Sequence, residues 1–172
     1  GKLDIAVTNN TANTVSVLLG NGVGGFGPKS DFATGNAPYG ISTGDVTGDG
    51  KLDLITANAG SNSVSVFAGN GDGTYAASQS YATGSFARWV SVGDVNGDGR
   101  LDVLVANTFS NSISVLLGQS DGILAAQVPY STLERPSYVT PVDLNGDGKV
   151  DVADAVEAVK KVAKKRGPKK KA

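Results

Sequence analysis

The nine residues Asp94-Val-Asn-Gly-Asp-Gly-Arg-Leu-Asp102 recur along the chain, and their spacing limits what the chain can fold into. Copies stand at 45–53 and 143–151, each 49 residues from the next. Moving back by the same interval places Asp53 on Asp4, so the first residues read as the end of a further copy. Each full copy carries carboxylates at loop positions 1, 5 and 9, with a glycine at position 6. Two like charges at 4 Å cost roughly 1 kcal/mol in water and about 4 at an effective dielectric of 20. A plain turn gains nothing from that repulsion, whereas a hard cation removes it. Calcium takes about six to eight oxygens, which alternate positions of a short loop and the carbonyl at position 7 can supply. The glycine allows the sharp bend that turns these oxygens inward.

The expected calcium ligands follow by position. In the first loop they are Asp45, Thr47, Asp49, the carbonyl of Lys51, and Asp53. In the second they are Asp94, Asn96, Asp98, the carbonyl of Arg100, and Asp102. In the third they are Asp143, Asn145, Asp147, the carbonyl of Lys149, and Asp151. Thr47 stands where the other loops have an amide, which makes the first site the weakest. The competing reading is a set of Asx-turns joining strands, with no metal.

The residues between the loops repeat as well. An apolar strand follows each loop (Leu3 to Thr8, Leu52 to Ala57, Leu101 to Ala106), then a short polar turn ending in Asn13, Asn62 or Asn111. A second strand alternates with period two, as in Thr14-Val-Ser-Val-Leu-Leu19. Gly20-Asn-Gly22 and Gly69-Asn-Gly71 are hairpin-turn signals. A weaker third strand runs around Phe32, Tyr81 and Tyr130, and a fourth (Tyr39 to Thr43, Trp89 to Val92, Tyr138 to Pro141) leads into the next loop. Four short strands per repeat is the pattern of a propeller blade.

The text Thr-Val-Ser-Val-Leu-Leu-Gly-Asn-Gly, followed by Gly-Asp-Val-x-Gly-Asp-Gly-x-Leu-Asp, resembles the FG-GAP/VCBS repeats of bacterial surface proteins, which are similar to the blades of the integrin alpha-chain propeller. The resemblance covers residues 1–142. It implies calcium in inter-strand loops of a β-propeller and a role in adhesion or glycan binding. Such propellers have about seven blades and need at least about four to close. With three blades, the ring is completed by further sequence, by other copies of the chain, or not at all.

The third loop departs from this pattern. Asp154 stands at its position 12, where an EF-hand places its last acidic ligand. Val152, Ala155, Val156, Val159, Val162 and Ala163 then form one helical apolar stripe, ended by Gly167-Pro168. Residues 143–167 resemble half of a dockerin, the calcium-loop and helix module that docks secreted enzymes on cohesin, and 168–172 form a basic tail. The expected fold is all-β: a partial propeller of about three blades, with one C-terminal amphipathic helix after an EF-hand-like loop.

Composition narrows the chemistry. Cysteine and histidine are absent, so disulfides, thiolate chemistry, the usual nucleophile–base pairs and the usual zinc sites are excluded. Residues 1–159 carry 16 acids and 7 bases, while 160–172 carry 8 bases and no acid. Most of the acids lie in the loops, so they read as metal ligands, and Asp31, Asp72, Asp121 and Glu134 form no evident catalytic pair. No apolar run reaches the length of a membrane span. The basic tail has no interleaved aromatics, which argues against nucleic acid. Gly20-Asn-Gly-Val-Gly-Gly25 matches a dinucleotide fingerprint, but Phe-Gly-Pro-Lys follows it instead of a helix, so it reads as a hairpin turn. Tyr39, Arg88, Trp89 and Tyr138 are candidate ligand contacts for sugar stacking, with packed strand residues between blades as the simpler account.

The chain thus reads as a non-catalytic, extracellular calcium-binding module for glycans or cell-surface proteins. The alternative is an accessory or docking region of a secreted polysaccharide-degrading enzyme.

Overall fold

The computed structural model describes residues 2–143. These residues form three antiparallel sheets, and no helix occurs among them. The first sheet is β1 (Ile5–Asn9), β2 (Thr14–Gly20) and β3 (Phe26–Ala33), in that order. The second is β4 (Pro38–Gly44), β5 (Asp53–Asn58), β6 (Ser63–Phe67) and β7 (Gln79–Ala82). The third repeats it with β8 (Ala87–Gly93), β9 (Asp102–Asn107), β10 (Ser112–Leu116) and β11 (Val128–Ser131).

This corrects the expectation of blades followed by an EF-hand-like loop and helix. What stands is an all-β, propeller-like arrangement of three sheets. The expected ligands Asn145, Asp147, Lys149, Asp151 and Asp154, and the helix from Val152, lie outside the described residues. The strand expected over Tyr138 to Pro141 is also absent. Pro141 has no N–H to donate, and the segment that the repeat would pair with it lies outside the described residues. A bond of 2.6 Å from Ser91 Oγ to the Val139 carbonyl still holds this stretch against β8.

The sheets do not coincide with the sequence repeat. Each Asp loop joins neighbouring strands of one sheet, with Gly44 opposite Asp53 and Gly93 opposite Asp102. The crossing from sheet to sheet falls instead at 34–37 and 83–86. Asparagine pins each crossing. Asn13 and Asn62 adopt φ of 56° and 53°, a left-handed conformation that Asn tolerates. Their side-chain Oδ1 atoms accept the N–H of Ala37 and Phe86, both at 2.8 Å, and their carbonyls accept Thr34 and Thr83.

Burial explains why the period-two pattern weakens in the middle strands. β5, β6, β9 and β10 are buried along their whole length, because the first and third sheets cover the two faces of the second, and the second sheet and the segment around Val139 cover those of the third. Val15 and Val17 of the first sheet pack on Leu54 and Phe67 of the second. Ile55, Ala57, Val64 and Val66 pack on Val103, Val105 and Leu116 of the third. Each such side chain contributes about 1.5–3 kcal/mol when fully buried. The serines of these strands are buried too, and one asparagine per sheet satisfies them. Asn58 Nδ2 donates to Ser63 and Ser65 at 3.2 and 2.9 Å, and Asn107 does the same for Ser112 and Ser114.

At Gly40 the second sheet lies directly against the backbone of the third. A Cβ there would lie 2.7 Å from Trp89 Cα and 2.9 Å from the Arg88 carbonyl oxygen. Gly40→Ala is expected to destabilise the fold by about 1–3 kcal/mol in urea unfolding, since backbone cannot give way as a flexible side chain can. Gly27→Ala, whose Cβ meets only the Leu19 carbonyl at 3.6 Å, is expected to stay within about 0.5 kcal/mol.

Candidate metal centre

The first and second loops have the same backbone. Gly48 and Gly50 take φ of 75° and 82°, and Gly97 and Gly99 repeat both values. A Cβ at any of the four would meet nothing within 4 Å, so the glycines are required by conformation and not by space. The position-1 carboxylate organises each loop. Asp45 accepts the N–H groups of Gly48, Asp49 and Gly50 at 2.7, 3.0 and 2.8 Å. Asp94 accepts those of Gly97 and Gly99 at 2.7 and 2.8 Å, with longer bonds from Asn96 and Asp98. These donors, Gly99 foremost, hold the Asp94 carboxyl below the ordinary carboxylate range.

Position 9 is different. Asp53 and Asp102 are the first residues of β5 and β9 and have no exposed surface. Asp53 Oδ2 accepts the N–H of Val46 and Thr47, and its Oδ1 accepts that of Gly69, all at 2.9 Å. Asp102 takes Val95 at 2.9 Å and Gly118 at 2.8 Å. Asp4 makes the same bond to Gly20. Only glycine fits there, because a Cβ on Gly69 would lie 2.1 Å from the Leu52 carbonyl oxygen. Burial raises the Asp102 carboxyl above its usual range, against the lowering effect of the Gly118 and Val95 N–H groups. These aspartates therefore tie the Asp loop to the far end of the next strand. Sequence reading missed this role, although Asp4/Gly20, Asp53/Gly69 and Asp102/Gly118 share one spacing.

The remaining expected ligands are spread between solvent and internal partners. Asp49 is paired with Lys51 at 3.4 Å, and Asp98 with the Arg100 guanidinium. Asn96 Nδ2 donates to Asp98 at 3.0 Å, and Arg100 Nε donates to the Gly118 carbonyl at 3.0 Å. The Thr47 hydroxyl is buried with no hydrogen-bond partner, and Thr47 lines a cavity of about 70 Å³ with Val66, Ala68 and Leu124. Among the described residues no group of three or more acidic side chains is close enough to hold a metal ion. Of the third loop, only Asp143 is described.

The candidate ligand contacts lie at the end of β4 and β8 away from the Asp loops. Trp89 and Tyr138 pack together, with ring centroids 4.8 Å apart. Tyr39 instead meets Phe86 at 5.7 Å, Phe86 stacks on Phe109 at 4.3 Å, and Arg135 lies over Phe109 at 5.2 Å. Arg88 is exposed on β8. Phe86 and Arg135 occupy one repeat position with Ala37, and all three have positive φ. That shared backbone was the only signal for the row, and it does not show in residue type.

A family model for the FG-GAP-like repeat matches residues 1–56, 45–105 and 94–153. The chain belongs to the FG-GAP-like repeat family. No curated protein matches it. Among solved structures it is similar to a mutant Tc holotoxin pore of Photorhabdus luminescens, at 19% identity and a TM-score of 0.42. That match covers 76% of this chain and 6% of the toxin chain.

The position-9 role is open to test. Asp53→Ala leaves three N–H groups without an acceptor and is expected to cost at least about 3 kcal/mol in urea unfolding. Asp49→Asn, at an exposed ion pair, is expected to change stability by less than about 1 kcal/mol.

Proposed function

We propose that the chain is a calcium-binding, non-catalytic module of an extracellular protein, with calcium clamping the two Asp loops. The observation that carries this reading is the loop pair itself: two all-oxygen donor sets on one repeated backbone. At the second loop the ligands are the side chains of Asp94, Asn96 and Asp98 and the carbonyl of Arg100. At the first they are Asp45, Asp49 and the carbonyl of Lys51, with Asp53 and Asp102 left to their backbone N–H groups. Calcium supplies the charge that offsets the carboxylates, and the chain supplies a loop already bent by its glycines. Before a cation enters, Asp49 and Asp98 must release Lys51 and Arg100, which compete for the same oxygens.

The bound partner in this reading is a glycan or a cell-surface protein. The aromatic side chains at the end away from the Asp loops support it, because half-exposed rings beside a cation suit such ligands.

Calorimetric calcium titration of chelator-stripped protein tests the clamp, with melting curves run alongside. The expected result is saturable binding and a rise in Tm, since a site held at a hundred times its Kd adds about 2.7 kcal/mol. Asp98→Asn is expected to remove the second site. Lys51→Ala is expected to tighten the first by freeing Asp49. Absence of both heat and Tm shift overturns the reading.

A further inference from the structure

The Asp loops collect the acids at one end of the molecule, and the opposite end is left with cations. Among the described residues that end carries Arg88, Arg135 and a single acid, Glu134. Lys29, Lys51 and Arg100 each hold an aspartate, whereas Arg88 and Arg135 hold no carboxylate.

The repeat sets these two cations together. Tyr39 packs on Phe86 with ring centroids 5.7 Å apart, and the residues 49 positions further on are Arg88 and Arg135. The backbone repeats with them. Phe86 and Arg135 take φ of 60° and 36°, and their N–H groups donate to Asn62 and Asn111 Oδ1, both at 2.8 Å. An arginine pair therefore replaces an aromatic pair on the same frame. Arg88 is the extra residue between the pairings Ala87–Asn107 and Trp89–Ala106, and a bulge of this kind re-aims the side chain it carries. Arg135 is exposed, and its guanidinium lies over the Phe109 ring, which itself stacks on Phe86. Stacking fixes the plane of the guanidinium and leaves its N–H edge free. Packing gives no reason for an arginine at a left-handed position that Asn or Gly would fill with less strain.

Two cations set side by side repel, and an anion between them removes the repulsion. The planar edge of a held guanidinium matches the two oxygens of a carboxylate. A peptide would also seek main-chain bonds, but the crossing has few to give. The N–H groups of Gly84, Ser85 and Phe86 go to Ser114, Ser110 and Asn62, and those of Thr108 and Phe109 go to the Phe86 and Ser85 carbonyls. Recognition here falls to side chains, and the half-exposed rings of Tyr39 and Phe86 offer apolar faces to a sugar. We propose that Arg88 and Arg135 bind the carboxylates of an acidic glycan built from uronate sugars, with Phe109 holding Arg135 in place. This rests on the reading of the aromatic end as a glycan site and adds the charge of the ligand.

Calorimetric titration of calcium-saturated protein with a galacturonate tetramer tests it, beside the methyl ester of the same tetramer and a glutamate tetrapeptide. The expected result is saturable binding of the free acid, with the ester and the peptide each weaker by about tenfold or more. Arg88→Gln and Arg135→Gln are each expected to weaken binding about tenfold at the parent's melting temperature, because both side chains are exposed. If one variant fails to fold, the other carries the test. No binding of the free acid overturns the proposal, as does a peptide that binds equally well. An ester that binds as the acid does overturns it while leaving the glycan site standing. Parent-like affinity in the arginine variants also overturns it, since a uronate held by calcium at the Asp loops would ignore them. The heat of calcium binding, measured on the same protein, reports separately on the calcium clamp.

Discussion

A carboxylate with no exposed surface needs full compensation, and in this protein backbone N–H groups provide it. Asp53 receives them from the Asp loop and from Gly69, beyond the next strand, and Asp102 repeats the arrangement with Gly118. One side chain thus fixes the loop, the start of β5 and the end of β6 relative to one another. The valine faces that join the sheets depend on that register, because a one-residue slip would turn every buried side chain outward.

The repeat made most of the architecture legible. Strands, hairpin turns and their order followed from the alternation and from the Asn-Gly pairs, and β3, β7 and β11 lie where Phe32, Tyr81 and Tyr130 pointed. The sheet boundaries did not follow. A periodic sequence has no natural starting point, so the loop reads as the start of a unit although it lies inside a sheet. Asn13 and Asn62 marked turns correctly, but their bonds to Ala37 and Phe86 reach across sheets and leave no local pattern.

The loops were only half legible. Counting carboxylates identifies positions 1, 5 and 9 as chemically alike, whereas the fold separates them. Position 1 caps a loop in water, position 5 pairs with a neighbouring base, and position 9 is a buried anchor. Sequence spacing cannot report that difference, since it depends on what the following hairpin brings near. The aromatic residues were harder still: Trp89 and Tyr138 meet as repeat neighbours, but Phe86 and Phe109 come together only through the fold.

Amide hydrogen exchange on the chelator-stripped protein tests the anchor most directly. If Asp53 and Asp102 hold the fold, the N–H groups of Gly69 and Gly118 exchange as slowly as those of β5 and β9, without any cation. Exchange at the rate of the exposed loop amides of Gly48 and Gly97 would contradict the account. It would mean that the loop and the following hairpin are not joined through the buried carboxylate.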